Sequence, residues 1–238
     1  MTAQTLTYYE IVSQLPSNTV VIFHNVSWED YEQLLDQAGE ASHLRISFAD
    51  GTLQVMTLSS EHEKYAEFIK RLISHLSFQL RINILFFGSA TMKKSKQRKG
   101  LEPDACFYVQ NAGAVGNRMA LDFETDPPPD IAVEIEVHHD SLSKFSIYAA
   151  LGVPEIWRFD GQELTIHHLE QGCYVIAENS LALPQPGRRV SDCYCLRRVA
   201  ADPTAVNRQS ALFISQRLYW DHSILTTDAE GFRGNDEL

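Results

Sequence analysis

Hydrophobic positions recur along this chain in two rhythms, every second residue and every third or fourth, and each change of rhythm marks the edge of an element. Residues 19–23 read as a short apolar strand. Ser27 and Asp30 stand in capping-box spacing before a helix that runs to about Gly39. LRISF and TLQVMTL flank Asp50-Gly51, a pair suited to the positive φ angles of a type I′ turn, so the two stretches form an antiparallel hairpin. Ser60 and Glu63 make a second capping box. The long helix they open carries Tyr65, Ile69, Leu72, Ile73, Leu76 and Leu80 on one face, and one turn back that face reaches Glu61, with His62 close by. Further strands are predicted over residues 83–89, 103–109, 130–137, 155–159 and 163–169.

The order β-β-α-β-β-β-α-β-β predicts an α/β fold with a mixed central sheet flanked by helices and an N-terminal helix and hairpin added to it. One domain is expected over residues 1–185, its core at about 44–170. Residues 186–238 read as a helical C-terminal appendage, with an amphipathic stretch at 204–218, which either docks on the domain or mediates self-association as a homodimer.

The strand after Pro129 carries the chemistry. Ile131, Val133, Ile135 and Val137 form one apolar row, while Ala132, Glu134 and Glu136 share the other face. Carboxylates in such a strand are costly to desolvate unless a divalent metal, a lysine or an arginine meets them. Asp140 and Ser141 are N-cap types, Lys144 lies in the first turns of the helix they imply, and Gly152 with Pro154 stops it. Leu142, Phe145 and Ala149 make that helix's apolar stripe; Lys144 and Tyr148, four apart, fall on a neighbouring face, from which the lysine can reach the carboxylates. Asp104 opens the preceding strand. Two carboxylates from separate strands can hold Mg²⁺ or Mn²⁺, and a bound water then attacks a phosphodiester while the lysine meets developing charge.

Each residue also has a structural reading. Asp104, following a proline, can simply start a turn; Glu136, near a strand end, can reach solvent; Lys144 can be a solvated helix lysine and His62 a donor near a cap. His138 and His139 read as loop residues, His167 and His168 as surface residues of a peripheral hairpin.

Composition narrows the partners. The chain has 238 residues, 44% of them hydrophobic, and a formal charge of −11, which excludes a protein that coats nucleic acid through bulk charge. No apolar run approaches the roughly 20 residues a membrane span needs, and the start lacks a signal-peptide pattern, so a cytoplasmic location is expected. Cys106, Cys173, Cys193 and Cys195 match no zinc spacing and read as packing or surface thiols. Lys93, Lys94, Lys96, Arg98 and Lys99 put five cations into seven positions: a solvated loop, or a guide for a phosphate backbone approaching the acids.

RISFADGTLQVMTLSSEHEKY, FFGSATMKK, GLEPDACFYV and PDIAVEIEVHHDSLSKFSIYAALGVPEIWRFDG, in that order over roughly residues 44–170, resemble the Uma-two family of endonucleases, a branch of the PD-(D/E)XK, or restriction-endonuclease-like, superfamily. The resemblance implies Asp104 as the motif aspartate, Glu134 as the motif acid, and Glu61 and His62 as the acid and histidine of the first helix, with Glu61 a further metal ligand. Glu136 stands where the superfamily motif has lysine, and Lys144 matches the position from which this family supplies it. The implied activity is DNA cleavage with Mg²⁺ or Mn²⁺. The alternatives are a nuclease-fold module that binds nucleic acid or a protein without catalysis, and a hydrolase of smaller phosphate esters.

Overall fold

The protein is described by a computed structural model over residues 6–39, 43–137 and 144–183. The chain divides into two units, Met1–Ser191 and Asp192–Leu238. The second unit, and with it the expected helix at 204–218, Cys193 and Cys195, lies outside the described residues, as do His138, His139, Asp140, Ser141 and Leu142.

In chain order the elements are α1 (Tyr8–Val12), β1 (Val20–His24), α2 (Trp28–Ala38), β2 (Leu44–Ala49), β3 (Thr52–Thr57), α3 (Ser60–Leu80), β4 (Leu85–Phe86), β5 (Met92–Lys94), β6 (Lys99–Leu101), β7 (Ala105–Tyr108), α4 (Ala112–Val115), β8 (Ile131–Ile135), α5 (Phe145–Leu151), β9 (Glu155–Phe159), β10 (Leu164–Glu170) and β11 (Cys173–Ala177). The architecture is mixed α/β, as expected, but its strands form two sheets. A six-stranded sheet runs β11-β10-β9-β8-β7-β4; a five-stranded sheet runs β1-β3-β2-β6-β5. The pairs of the larger sheet are antiparallel except β8–β9, which is parallel because α5 carries the chain back across the sheet between them.

Local chemistry explains most boundaries. Ser27 caps α2 with the reciprocal Asp30 bond, and the helix stops at Gly39. Asp50 and Gly51, at φ of 52° and 78°, turn β2 into β3. The cap of α3 is one residue earlier than expected: Ser59, whose hydroxyl accepts the His62 N–H. The basic stretch is not a plain loop but a hairpin, β5 and β6 joined by a 3₁₀ turn at Ser95–Gln97, which extends the smaller sheet beside β2. Of the strand expected at 83–89, only the two residues of β4 pair.

Three packing units follow. Leu44, Ile46 and Phe48 of β2 join Trp28, Tyr31 and Leu34 of α2 in one cluster, leaving Arg45 and Ser47 on the opposite strand face. Ile147, Tyr148 and Leu151 of α5 share a second cluster with Ala132 and Ile156 of the larger sheet and with Met92 and Leu101 of the smaller. On the larger sheet's other face α3 brings Tyr65 onto Phe159, ring centroids 5.2 Å apart.

A buried acid and cation cluster as the candidate active site

The β7–β8 register runs to the pair Ala105–Val133; Asp104 immediately precedes β7, and Glu134 follows Val133 on β8. The two carboxylates are close enough to feel each other's charge, and both feel Lys144. Both are 1% exposed. The Asp104 N–H donates to the Val133 carbonyl at 3.0 Å, which carries the ladder to that position.

Each acid has its own partners. For Glu134, Lys144 Nζ donates to Oε2 at 2.7 Å and the Tyr148 hydroxyl to Oε1. Lys144 stands at the cap position of α5, 6% exposed, with Tyr148 one turn on, so the four-residue spacing sends both donors to one carboxylate. For Asp104, Arg45 Nε donates to Oδ1 at 3.2 Å and the Ile135 N–H to Oδ2 at 2.8 Å. His62 Nε2 lies 3.1 Å from Oδ2, and neither ring nitrogen makes an aligned hydrogen bond. Arg45 also reaches Glu63, 3.6 Å away.

Burial and charge oppose each other here. Burial raises the Asp104 pKa, but His62, Lys144 and Arg45 outweigh it and hold the group at about 2. Glu134 is raised, by burial first and then by the Asp104 charge, against the pull of Lys144. Burial disfavours the Lys144 ammonium, yet Glu134 and Asp104 more than compensate and raise its pKa. Lys144 is therefore a bound cation rather than a free base.

Glu136 takes a different part. It is buried and receives the Nε donor of Arg158, while its own N–H donates to the Phe159 carbonyl at 2.8 Å. Glu102, at the end of β6, accepts from the Ile46 N–H at 3.0 Å and the Thr91 hydroxyl at 2.9 Å. Burial raises its pKa, and those bonds, Arg45 and Lys144 lower it in part, so it lies within electrostatic reach of the cluster.

The remaining candidates fall elsewhere. Glu61 is exposed: the buried stripe of α3 runs through His62, Tyr65, Ala66 and Ile69, and Glu61 precedes it by one residue, about 100° around the helix, so the expected core-facing placement is corrected. Its charge is felt by the Tyr65 hydroxyl. In the basic hairpin Lys93 pairs with Glu32 at 2.8 Å, Lys94 donates to the Leu151 carbonyl at 3.1 Å and Lys99 lies 3.7 Å from Asp50, whereas Lys96 and Arg98 are exposed. His167, expected at the surface, is buried against Phe145, because β10 is an inner strand covered by β11.

Arg45, Arg158 and Glu102 are participants that the sequence pattern did not single out; Tyr148 was placed on the Lys144 face but without a partner. For Arg45 a signal existed: in LRISF the apolar residues take one face and leave the arginine on the other. For Arg158 the partner is set by parallel register, which local pattern does not carry.

The donors fit a hard divalent cation. Such an ion, above all Mg²⁺, is commonly held by one or two carboxylates with water completing its shell, and Asp104 and Glu134 are two neighbouring carboxylates. Among the described residues no group of three or more His, Cys, Asp or Glu is arranged to hold a metal, so a closed protein cage is not the geometry on offer. Among the described residues His62 Nδ1 is a buried polar atom beside the acids without a hydrogen-bond partner.

No curated protein matches the chain. A crystal structure of a "putative nuclease belonging to DUF820" from Anabaena variabilis ATCC 29413 is similar, at 15% identity and a TM-score of 0.45, covering 68% of this chain and 89% of that one. The sequence model of the Uma2 family, described as "Putative restriction endonuclease", matches residues 28–198, a span that holds every residue of the cluster, and the chain belongs to that family.

Proposed function

We propose that this protein is a metal-dependent phosphodiester hydrolase that cleaves DNA. The observation that carries the reading is the gathering of two buried carboxylates, Asp104 and Glu134, around Lys144, which is bonded to Glu134 from the following helix and whose charge also reaches Asp104. Family membership supports it.

Asp104 and Glu134 would hold Mg²⁺ or Mn²⁺, which when bound lowers the pKa of a coordinated water and offsets charge on the phosphorus. The protein's own groups do the rest. Lys144 and Tyr148 fix the Glu134 carboxylate, and Arg45 with the Ile135 N–H fixes Asp104, so neither acid reorganises during the reaction. His62 Nε2 faces Asp104 at 3.1 Å and adds a further partner to that carboxylate. In this reading Glu136 is an arginine anchor rather than a ligand. Glu61, exposed on the first turn of α3, is outside the carboxylate pair.

No helix among the described residues is long and apolar enough to cross a membrane. The proposed partner is intracellular DNA, approached through Lys96 and Arg98, and a homodimer would bring one site to each strand of a duplex.

The test is cleavage of supercoiled and linear DNA, and of RNA, with Mg²⁺, Mn²⁺ or excess chelator. Wild type is expected to cut DNA only with metal; D104N and E134Q should lose at least 100-fold in rate while staying folded, a loss on the order of 3 kcal/mol of transition-state stabilisation. Metal binding by the folded protein with no cleavage of any of these substrates would mark a binding module instead.

A further inference from the structure

We propose that Arg158 is the group that grips the substrate phosphate, taking the place of the strand lysine whose position Glu136 occupies. The inference rests on the phosphodiester reading and names a contact within it.

The parallel register pairs Glu134 with Arg158, and paired positions of neighbouring strands share a face, so the Arg158 side chain leaves the sheet on the Glu134 face and its guanidinium meets Glu136 there. The cations differ in what they have left to offer. Lys144 is buried and its ammonium is committed to Glu134 at 2.7 Å. Arg45 is equally buried, with Nε on Asp104 and its Nη atoms turned to the Leu44 carbonyl and Glu63. Arg158 alone of the three keeps a partly exposed side chain, 28% accessible, and it binds Glu136 through Nε. That leaves the two Nη groups, which match a pair of phosphate oxygens as a planar fork. Among the described residues Glu136 is the acid paired with it.

Glu136 explains why an acid is tolerated two residues after Glu134. With its carboxylate 2% exposed and its backbone tied to Phe159, it is a rigid anchor that fixes the arginine's direction. A lysine in its place would bring a charge; the pair brings a charge with a defined plane. The ligand chemistry is a phosphodiester with two free non-bridging oxygens, as in either strand of DNA.

The test measures binding of a labelled DNA duplex and its single strand in chelator, across a salt series, with circular dichroism of every variant. E136Q/R158Q keeps a hydrogen-bonding pair while removing both charges; R158K keeps charge and loses the fork. The double variant is expected to bind roughly 10- to 100-fold more weakly, with the slope of log affinity against log salt smaller by about 0.9 for a duplex. R158K should weaken binding with the slope retained. K70M, which removes a lysine paired with Glu67 on α3 and outside the cluster, should leave the slope unchanged, and that separates phosphate contact from a general loss of positive charge. If E136Q/R158Q binds as wild type does, Arg158 is not the contact, while wild-type cleavage keeps the nuclease reading standing. If the double variant does not fold, unchanged affinity in R158K overturns the assignment. If wild type binds neither DNA form, both fall.

Discussion

Asp104 is a fully buried carboxylate kept ionised by its surroundings, and the sign of its pH dependence follows. Its folded-state pKa, about 2, lies below the ordinary 3.8, so it contributes stability that is complete above the unfolded value and is lost as pH falls towards the folded one. The difference amounts to about 2 kcal/mol. Urea unfolding of wild type and D104N between pH 6 and pH 2 should therefore show a stability gap that narrows by about that amount from about pH 4 downwards. A gap independent of pH would mean that Asp104 is not the charged centre described here. Glu134, raised rather than lowered, acts in the opposite sense, and the part of its shift that comes from the Asp104 charge is lost in D104N. At this scale the sequence revealed which acids matter, because Glu134 interrupts an apolar strand and an unpaired charge there is costly. It did not reveal Arg45, which is 59 residues from its partner Asp104, nor the pairing of Glu136 with Arg158 across 22 residues.

Among the elements, α2 and the β5–β6 hairpin meet closely at one point. A Cβ placed on Gly100 would lie 2.3 Å from the Tyr31 hydroxyl and 3.0 Å from Lys93 Cβ. Tyr31 has little room to retreat, since its ring stacks on Phe48 at 5.1 Å, and among the described residues its buried hydroxyl has no hydrogen-bond partner. G100A should thus destabilise by about 1–3 kcal/mol through overpacking. Y31F removes an unsatisfied hydroxyl and should be neutral or stabilising by up to about 1 kcal/mol. In the double variant part of the G100A loss should be recovered, because the shortest of the three contacts is gone while Tyr31 Cζ and Lys93 Cβ stay at 3.0 Å; strictly additive unfolding energies would refute that contact. Capping boxes and Asp50-Gly51 made α2 and the β2–β3 hairpin legible, being encoded within a few residues. The β5–β6 hairpin was not, since consecutive lysines mask a strand whose support comes from β2. β11 was missed for a related reason: its side chains are mostly exposed, so no alternation survives.

For the whole molecule, a formal charge of −11 means that DNA can be approached only through local cationic features. The basic hairpin offers two exposed cations rather than five, its other three being engaged with the protein. The division into two sheets was the larger surprise, because strand order along the chain does not say which strands pair when short hairpins join distant neighbours. That division also sets a timetable. Lys144 and Glu134 are 10 residues apart, whereas Arg45 reaches Asp104 only after a loop of 59 closes and the smaller sheet docks. The lysine half of the cluster can assemble during early compaction; the arginine half must wait. In a chevron analysis K144M should chiefly slow folding, and R45M should chiefly speed unfolding. Similar fractional effects for both would erase the distinction. With that distinction, the newly made chain passes through a stage at which Glu134 is already neutralised and Asp104 is still bare, so the two acids meet only on a nearly finished protein.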